Sequence, residues 1–424
     1  MSPALLDIND SNLQLWHGDT HLQSPGYAML EGGGYQFGQA AREAARLRPR
    51  EINTRYWWQL STEALQPAMG AARHTADLVH AHLQALHREG GQPGEILLAV
   101  SGSMQRDQLS LLLGIVQQCP FDAVGLVNRS VALGSLYGGG RMFHLEIQLH
   151  QSVVSELQAS SGTVDLGRTI PLPGCGLLQL QERLVERIAA AFIRQTRFDP
   201  RRKAATEQAL YDALPGVLRL LTTDAETSMD VNGYRARVSA SELRDAGQPL
   251  FDSAQEAMGV LRPDDRLQAD PLAALLPGLG DRFPLLDVLH PLALRDALQH
   301  HQERLVEREQ ALSFVTSLPC LELQLAPRTG ALAESAASAP EAATQPEPTH
   351  ILRGARAERL DRDGTALAGG WTLVRDSGGW RLSGDGPAPL VNGKGYATGQ
   401  RLACGDRIHF APGGEEAVLI EVPE

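Results

Sequence analysis

The sequence predicts an α/β domain in residues 1–326 and a small all-β sandwich in residues 350–424, and three observations lead to this division. In the first part, apolar runs of strand length alternate with helical patterns. In the last part, short strand candidates are separated by glycine-containing turns. Between them, residues 327–349 are rich in Ala, Pro and Glu and contain a single large aliphatic residue, Leu332, so we expect a solvated linker there.

The charge balance restricts the classes of partner. The 424 residues carry 38 basic and 50 acidic side chains, a formal net charge of −12. Because nucleic acids and anionic membranes attract cations, this balance argues against both and favours a protein partner. The sequence has no run approaching the roughly 18 apolar residues of a membrane span and begins without a basic stretch followed by an apolar run, so we expect a cytoplasmic protein with no membrane insertion.

The α/β part opens with a predicted β-meander whose strands are ALLDI, LQLWHG and GYAML. A helical pattern follows over residues 71–88 and ends at a pair of glycines. The next segments predict a strand, a helix and a second strand, in the order EILLAVSG, QLSLLLGIVQQC and AVGLV. Together these segments form a β–α–β unit, which is typical of α/β domains.

Strands and helices follow again in the next stretch of chain. The segment NRSVALGSLYG is compatible with a helix, and MFHLEIQL and SVVSELQ read as strands. Apolar residues at helical spacing predict helices over residues 177–197, 204–221, 239–261 and 292–312. The strand-like TSMDVNGYRARVS lies between the second and third of these helices.

Four segments, taken in chain order, resemble the nucleotide-binding domain of the actin-like ATPases, and in particular that of the 70-kDa heat-shock chaperones of DnaK type. ALLDINDSNLQLW resembles that family's first phosphate loop, and FHLEIQLHQSVVSEL stands where its second phosphate loop belongs. The stretch from ILLAVSG to SLYGGG is similar to the family's strand, helix, strand and connecting helix. PLPGCGLLQLQERLVERI resembles its Gly-led helix. The resemblance implies a two-lobed actin-like, DnaK-type ATPase fold.

The resemblance also implies that ATP and Mg²⁺ bind between two β-hairpins. In such a site, backbone amides and short side chains contact the phosphates while carboxylates hold the metal. Asp7 is the residue implied to organise Mg²⁺. The residues implied to lie at the nucleotide are Asp7, Asp10, Ser11 and Asn12 in the first hairpin and Glu146, Gln148 and His150 in the second. No catalytic residue is assigned.

Two departures from the family pattern point to a degenerate site. The second hairpin carries Gln148, Leu149 and His150 where the family uses small residues, mostly Gly, and the stretch INTRYWWQL contains no Lys where the family has a catalytic one. We therefore expect at most a slow ATPase. The function implied is that of a DnaK-like chaperone or assembly factor acting through protein–protein contacts. The alternatives are a nucleotide-free pseudo-ATPase scaffold and an actin-like pilus or filament assembly protein.

The hairpin residues also have simpler interpretations. Asp7 and Asp10 are typical of turns between strands, because an Asp side chain accepts hydrogen bonds from nearby backbone amides. Glu146 and Gln148 alternate along a strand, and this pattern favours solvent-facing positions for both.

The C-terminal segment LVNGKGYATGQRLACGDRIHFA resembles the second half of a forkhead-associated domain. Such domains bind phosphothreonine peptides, and the resemblance makes Arg353, Arg356 and Asn392 candidate peptide contacts. The first half of the module departs from the family pattern, so surface arginines are the favoured interpretation. We expect phosphothreonine binding to be weak or absent there, and another protein to be the partner.

Overall fold

The computed structural model describes residues 2–137, 139–308, 312–321, 348–353, 356–361, 364–376, 379–384, 386–387, 389–391, 394–396, 400–402, 404–409 and 416–420. The chain divides into two compact units, Met1–Pro327 and Arg328–Glu424. The first unit mixes helices with several sheets, so the α/β class is confirmed for it. None of the helices in the described residues combines the length and the apolar composition that a membrane span requires.

The strands of the first unit are, in chain order, β1 (Ala4–Ile8), β2 (Leu13–His17), β3 (Thr20–Ser24), β4 (Ala28–Glu31), β5 (Gly34–Phe37), β6 (Ile52–Asn53), β7 (Ala64–Met69), β8 (Ala72–His74), β9 (Glu95–Val100), β10 (Asp122–Asn128), β11 (Gly140–Ile147), β12 (Gln151–Ser160), β13 (Thr163–Pro173), β14 (Glu226–Val231), β15 (Tyr234–Ser239), β16 (Arg266–Ala269), β17 (Leu286–Val288), β18 (Phe314–Val315) and β19 (Ser317–Pro319).

The α-helices of this unit are, in chain order, α1 (Gln39–Glu43), α2 (Thr75–Glu89), α3 (Arg106–Val116), α4 (Arg129–Gly134), α5 (Leu177–Thr196), α6 (Ala204–Leu220), α7 (Ala240–Leu243), α8 (Gln248–Met258), α9 (Leu279–Arg282), α10 (Ala293–His300) and α11 (Gln302–Leu305).

Two sheets of this unit have the same internal order. In the first sheet the order is β18-β10-β9-β1-β2-β3, with β1, β2 and β3 antiparallel and β9 and β10 added parallel to β1. In the second the order is β17-β16-β11-β12-β13-β19, with β11, β12 and β13 antiparallel and β16 and β17 added parallel to β11. Each sheet therefore consists of an antiparallel meander extended by parallel strands.

The third strand of the first meander differs from the sequence prediction. The strand that pairs with β2 is β3, Thr20–Ser24, whereas GYAML contributes β4, which pairs with β5 and β6 in a separate sheet. β3 is mostly exposed, with the sequence THLQS. Its residues are held by pairing with β2 at the edge of the sheet rather than by burial, which explains why hydrophobicity did not identify it.

Two predicted helices are interrupted in the structure. The helix predicted over 239–261 consists of α7, a 3₁₀ turn at Arg244–Ala246 and α8, because Gly247 and Pro249 start a new helix there. The helix predicted over 292–312 is observed as two helices, α10 and α11. The second ends at Leu305, and Val306 is extended. The helix predicted over 71–88 begins at Thr75, since β8 takes up the residues before it.

Helix α4 is packed between the two sheets. Its Val131 lies in one hydrophobic cluster with Leu97 of β9 and Leu157 of β12. A Cβ atom at Gly134 would lie 2.6 Å from Leu157 Cδ1, so a larger residue here would displace this buried side chain. The first residue of α4, Arg129, is thereby fixed between the carboxyl ends of the strands of both sheets.

The described residues of the second unit include a 3₁₀ turn at Ala368–Gly370 and the strands β20 (His350–Arg353), β21 (Arg356–Arg359), β22 (Thr365–Ala366), β23 (Trp371–Asp376), β24 (Gly379–Gly384), β25 (Leu390–Val391), β26 (Lys394–Gly395), β27 (Arg407–His409) and β28 (Glu416–Ile420). All their pairings are antiparallel and form two sheets. Both sheets contribute to one hydrophobic cluster, with Ile351 and Ile408 from one and Leu373 and Leu382 from the other.

Candidate functional site

Polar side chains collect where the parallel strands of the two sheets end. β1 runs into a hairpin turn at residues 9–12, and β11 runs into a second hairpin turn at residues 148–150. β10 ends at Asn128 and β16 at Ala269. Because a ligand site in an α/β sheet lies beyond the carboxyl ends of its strands, this is the position where a site is expected.

Arg129 is the central residue of this region. It is 5% exposed and begins α4, whose N-cap Asn128 accepts a hydrogen bond from the Val131 amide at 3.0 Å. Its guanidinium donates twice to Asp7, from Nε to Oδ1 at 2.8 Å and from Nη2 to Oδ2 at 3.3 Å. This fork-to-fork geometry is the strong form of an arginine–carboxylate pair.

The same guanidinium is shared with two carboxylates of the second sheet. Nη1 and Nη2 donate to Asp270 Oδ2 and Oδ1 at 2.9 and 3.1 Å, and Nη1 lies 3.6 Å from Glu146 Oε2. His144 approaches Asp270 from the other side, with Nε2 at 3.5 Å from Oδ1, and accepts or donates a hydrogen bond with Ser130 Oγ at 2.9 Å. One cation thus serves three buried carboxylates from two different sheets.

Because Asp7 and Asp270 share one guanidinium in different surroundings, their pKa values shift in opposite directions. Burial raises the pKa of Asp7 to about 6, and the Arg129 guanidinium opposes that rise. Burial also disfavours the charged form of Asp270, but Arg129 and His144 outweigh it and hold its pKa below the usual range. The carboxylates of Asp270 and Asp7 keep the pKa of Arg129 above its usual range despite its burial. The guanidinium is therefore a fixed charge at every physiological pH.

The two hairpins contact each other directly. Asp10 Oδ1 accepts a hydrogen bond from the Leu149 amide at 2.8 Å, and Asn9 Nδ2 donates to the Ile147 carbonyl at 3.3 Å. Burial raises the pKa of Asp10 to about 7, while the bond from Leu149 opposes the rise. A backbone amide of the second hairpin, the type of group implied to contact a phosphate, is thus bonded to a carboxylate of the first.

The other residues implied to lie at the phosphates in the first hairpin close the turn itself. The Ser11 amide and hydroxyl both donate to Asn9 Oδ1, at 3.0 and 2.9 Å, and the Asn12 amide donates to the Asn9 carbonyl at 3.0 Å. This is the Asx-type turn that the simpler interpretation anticipated, with Asn9 rather than Asp7 or Asp10 as the turn former.

Glu146 and Gln148 are buried, so the interpretation of both as solvent-facing residues is wrong. They are 1% and 7% exposed, respectively. Gln148 Nε2 donates to Glu146 Oε1 at 2.7 Å, and Gln148 Oε1 accepts from Gln151 at 2.9 Å. One face of β11 packs in the cluster that contains α5, and Glu146 on its other face lies beside Arg129, so neither face is open to solvent.

His150 and Leu149 are directed away from the space between the hairpins. His150 Nε2 is 3.0 Å from both Thr54 Oγ1 and the Thr54 carbonyl, and its ring stacks on Trp58 with centroids 5.1 Å apart. Burial lowers the pKa of His150 to about 4, so the ring is neutral near pH 7. Leu149 is fully buried in a cluster with Tyr27 and Met29.

The residues present do not fit Mg²⁺ held by Asp7. Both oxygens of Asp7 accept hydrogen bonds from Arg129, and a guanidinium at this distance repels a divalent cation. Elsewhere in the described residues, no group of three His, Cys, Asp or Glu side chains is arranged to hold a metal ion. The polyphosphate of ATP fits no better at the position that the resemblance implies, because the hairpins are bonded to each other there.

A cavity of about 470 Å³ opens beside the hairpins. The charged residues among its described lining are Asp10 and Asp107, both acidic, and the remainder includes Trp57, Trp58 and Gln148. Ligand sites of this size are common, but an acidic wall repels phosphates.

Arg129 and Asp270 are the residues that sequence reasoning missed. Arg129 follows directly after the buried strand β10, and Asp270 directly after β16. A charged residue at the carboxyl end of a buried strand was the available signal. Arg129 is separated from Asp7 by 122 residues and from Asp270 by 141 residues in the chain. No local sequence pattern therefore predicts that they pair.

In the second unit, Arg353 is engaged within the unit. Its Nη2 donates to the Ala366 carbonyl at 2.7 Å, and its Nε lies 3.9 Å from Glu358 Oε2. Asn392 and the side chain of Arg356 lie outside the described residues.

Comparison with known proteins adds no relative to this description. No protein-family model matches the sequence, and a search of curated protein sequences finds no match either.

Proposed function

We propose that this chain is a pseudo-ATPase scaffold: a two-lobed actin-like fold of DnaK type that works through protein–protein contacts without a nucleotide cycle. The fold part of the proposal is supported by the repeated strand order of the two sheets and by two hairpins that face each other at the strand ends. It is also supported by α4, which packs between the sheets as a connecting helix.

The observation that carries the function is the position of Arg129. In an ATP site the carboxylates at the strand ends balance Mg²⁺, and the metal in turn balances the phosphates. Here a side chain of the protein supplies the cation to Asp7 and Asp270, and Asp10 supplies an anion to the Leu149 amide. The internal pairs occupy the groups on which nucleotide binding depends.

The proposal keeps the expected mode of action of a chaperone-like or assembly factor but removes ATP and Mg²⁺ as cofactors. A cleft whose carboxylates and backbone amide are already engaged within the chain leaves the outer surface as the working part of the molecule. The partner is then a protein, in agreement with the acidic net charge of −12.

The test is thermal or urea unfolding of the full chain with and without Mg-ATP. We expect no saturable stabilisation, whereas a bound nucleotide at 100 times its dissociation constant would add about 2.7 kcal/mol to the free energy of unfolding. Saturable stabilisation by Mg-ATP that Asp7→Asn weakens would contradict the proposal and restore the degenerate ATPase as the better reading.

A further inference from the structure

A second cavity, of about 240 Å³, lies between α1 on one side and α5 and α6 on the other. Its lining residues Tyr27 and Thr54 contact Leu149 and His150 of the second hairpin from outside the cleft. The segment around α1 belongs to the part of the chain that precedes the second sheet, and α5 and α6 follow that sheet's meander. The cavity is smaller than the roughly 300–1,000 Å³ of sites for drug-sized molecules, so it suits a small ligand.

Part of its polar wall is already paired. Gln208 Oε1 accepts from the Arg46 amide at 2.8 Å, and its Nε2 donates to the Arg42 carbonyl at 3.2 Å and to Asp212 Oδ1 at 2.9 Å. The Arg46 guanidinium lies 4.0 Å from the centre of the Tyr211 ring. These contacts hold the two sides of the cavity at a fixed separation.

Three other polar side chains line the cavity. Arg42 contributes a guanidinium whose Nε is buried with no hydrogen-bond partner. Tyr27 and Gln181 line it as well, and the two residues are only 5% and 8% exposed. Burial raises the pKa of Tyr27 to about 12, against the effect of Arg42 and Arg46, so its hydroxyl remains a donor near neutral pH.

All three groups can donate hydrogen bonds. A guanidinium only donates, and the Tyr27 hydroxyl and the Gln181 amide each carry a donor beside an acceptor, so a ligand with several acceptor oxygens can satisfy all three. Leaving Arg42 Nε buried and unpaired costs free energy, which a fitting acceptor would recover. Asp212 also lines the cavity, but its Oδ1 is engaged by Gln208.

We propose that this cavity binds a small anionic group, a phosphate or a carboxylate, with Arg42 as the charged contact and Tyr27 and Gln181 as neutral donors. Arg42 and Tyr27 lie on the α1 side and Gln181 lies on α5, so the bound anion bridges the two sides of the first unit. The lining of this site shares no residue with that of the cavity beside the hairpins, and its existence does not depend on whether the cleft is free of nucleotide.

The test is the melting temperature of the full chain titrated with inorganic phosphate or with succinate, at an ionic strength held constant with sodium chloride. We expect saturable stabilisation by at least one of the two anions, and the more effective one identifies the ligand class. Arg42→Gln should weaken binding about tenfold or more, because it removes a charge-assisted contact. Arg50→Gln, at an exposed arginine of the same segment, should leave the binding unchanged.

If Arg42→Gln does not fold, Tyr27→Phe provides the second variant. It keeps the ring and removes one neutral donor, so binding should weaken about fivefold. The proposal is overturned if neither anion stabilises the wild-type chain beyond the chloride control, if Arg42→Gln binds as tightly as wild type, or if Tyr27→Phe leaves the affinity unchanged.

Discussion

The Asp10 carboxylate accepts a hydrogen bond from the Leu149 amide at 2.8 Å, and this bond joins the tips of two hairpins that belong to different sheets. A carboxylate is an anion with acceptor oxygens, so toward this amide it offers the same chemistry as a phosphate. On the other side of the first hairpin, Arg129 supplies the cation that pairs with the Asp7 carboxylate. Groups of the cleft that could contact a metal ion or a phosphate are thus paired within the chain.

Removing Arg129 should create a site for a divalent cation. In Arg129→Ala, Asp7, Glu146 and Asp270 lose the cation they share, and Glu146 Oε2 already has no hydrogen-bond partner among the described residues. Since carboxylate oxygens are the preferred ligands of Mg²⁺, we expect MgCl₂ to raise the melting temperature of this variant and to leave the wild type unchanged at equal ionic strength. Arg141→Ala, which breaks pairs with Glu156 and Asp265, is the matched control and should not respond. A response of the wild type equal to that of the variant would show that Arg129 does not exclude the metal.

Arg129→Gln should destabilise the fold in a pH-dependent way. Asp7 and Asp270 would remain buried without their charged partner, which typically costs about 3–5 kcal/mol. The cost should be smaller at pH 5 than at pH 8, because the pKa of Asp7 is already raised to about 6 and the carboxyl accepts a proton more readily when its cation is gone. Urea unfolding at the two pH values measures this difference. An equal loss at both would argue against buried carboxylates as its source.

Asp10 should make the wild-type chain less stable as the pH rises. Its pKa is near 3.8 in an unfolded chain and about 7 in the fold, so the folded state retains a proton that the unfolded state releases. This contribution to stability is complete below the unfolded value and is lost as the pH passes through about 7. Asp10→Asn does not titrate, so its stability relative to wild type should increase between pH 5 and pH 8. Asp122→Asn, at the exposed start of β10, should show no such change, and a pH-independent effect of Asp10→Asn would refute the assignment.

Gln208 should hold α1 against α6. Gln208→Ala removes bonds to the Arg46 amide, the Arg42 carbonyl and Asp212, and we expect a loss of about 1–3 kcal/mol together with faster amide exchange in α1. Gln195→Ala is the control, because its two bonds to the Arg237 backbone are exposed and lie between α5 and β15. Exchange in α1 that is equally fast in both variants would mean that Gln208 does not link the two sides.

Arg353 should not act as a phosphate contact. Its guanidinium donates to the Ala366 carbonyl and lies close to Glu358, so a phosphothreonine would have to break these contacts to reach it. We expect phosphothreonine peptides titrated into the full chain to show weak binding or none, with no difference for Arg353→Ala. Tight binding that Arg353→Ala abolishes would establish the forkhead-associated reading of the second unit.

The sequence by itself determined the elements whose signal is local. The buried strands β1, β9, β10, β11 and β12 and the long helices α5 and α6 lie where hydrophobic runs and helical spacing predicted them, because each pattern reflects burial on one or both faces of that same element. The division into an α/β part and a β-rich part likewise follows from composition. The sequence did not predict the edge strand β3 or the break between α7 and α8. Pairing at a sheet edge and a proline at a helix start are weaker signals than hydrophobicity.

The state of the cleft was decided only by the tertiary structure. Asp7, Asp10 and Glu146 were identified from the chain, but whether they face a metal, a phosphate or solvent depends on which groups the fold brings to them. Arg129 reaches Asp7 and Asp270 only because α4 packs between two sheets, and Leu149 reaches Asp10 only because the two hairpins meet. Electrostatic interactions act through space, and partners more than a hundred positions apart leave no trace in local sequence. The protein's own cation and anion in the cleft are therefore a property of the fold.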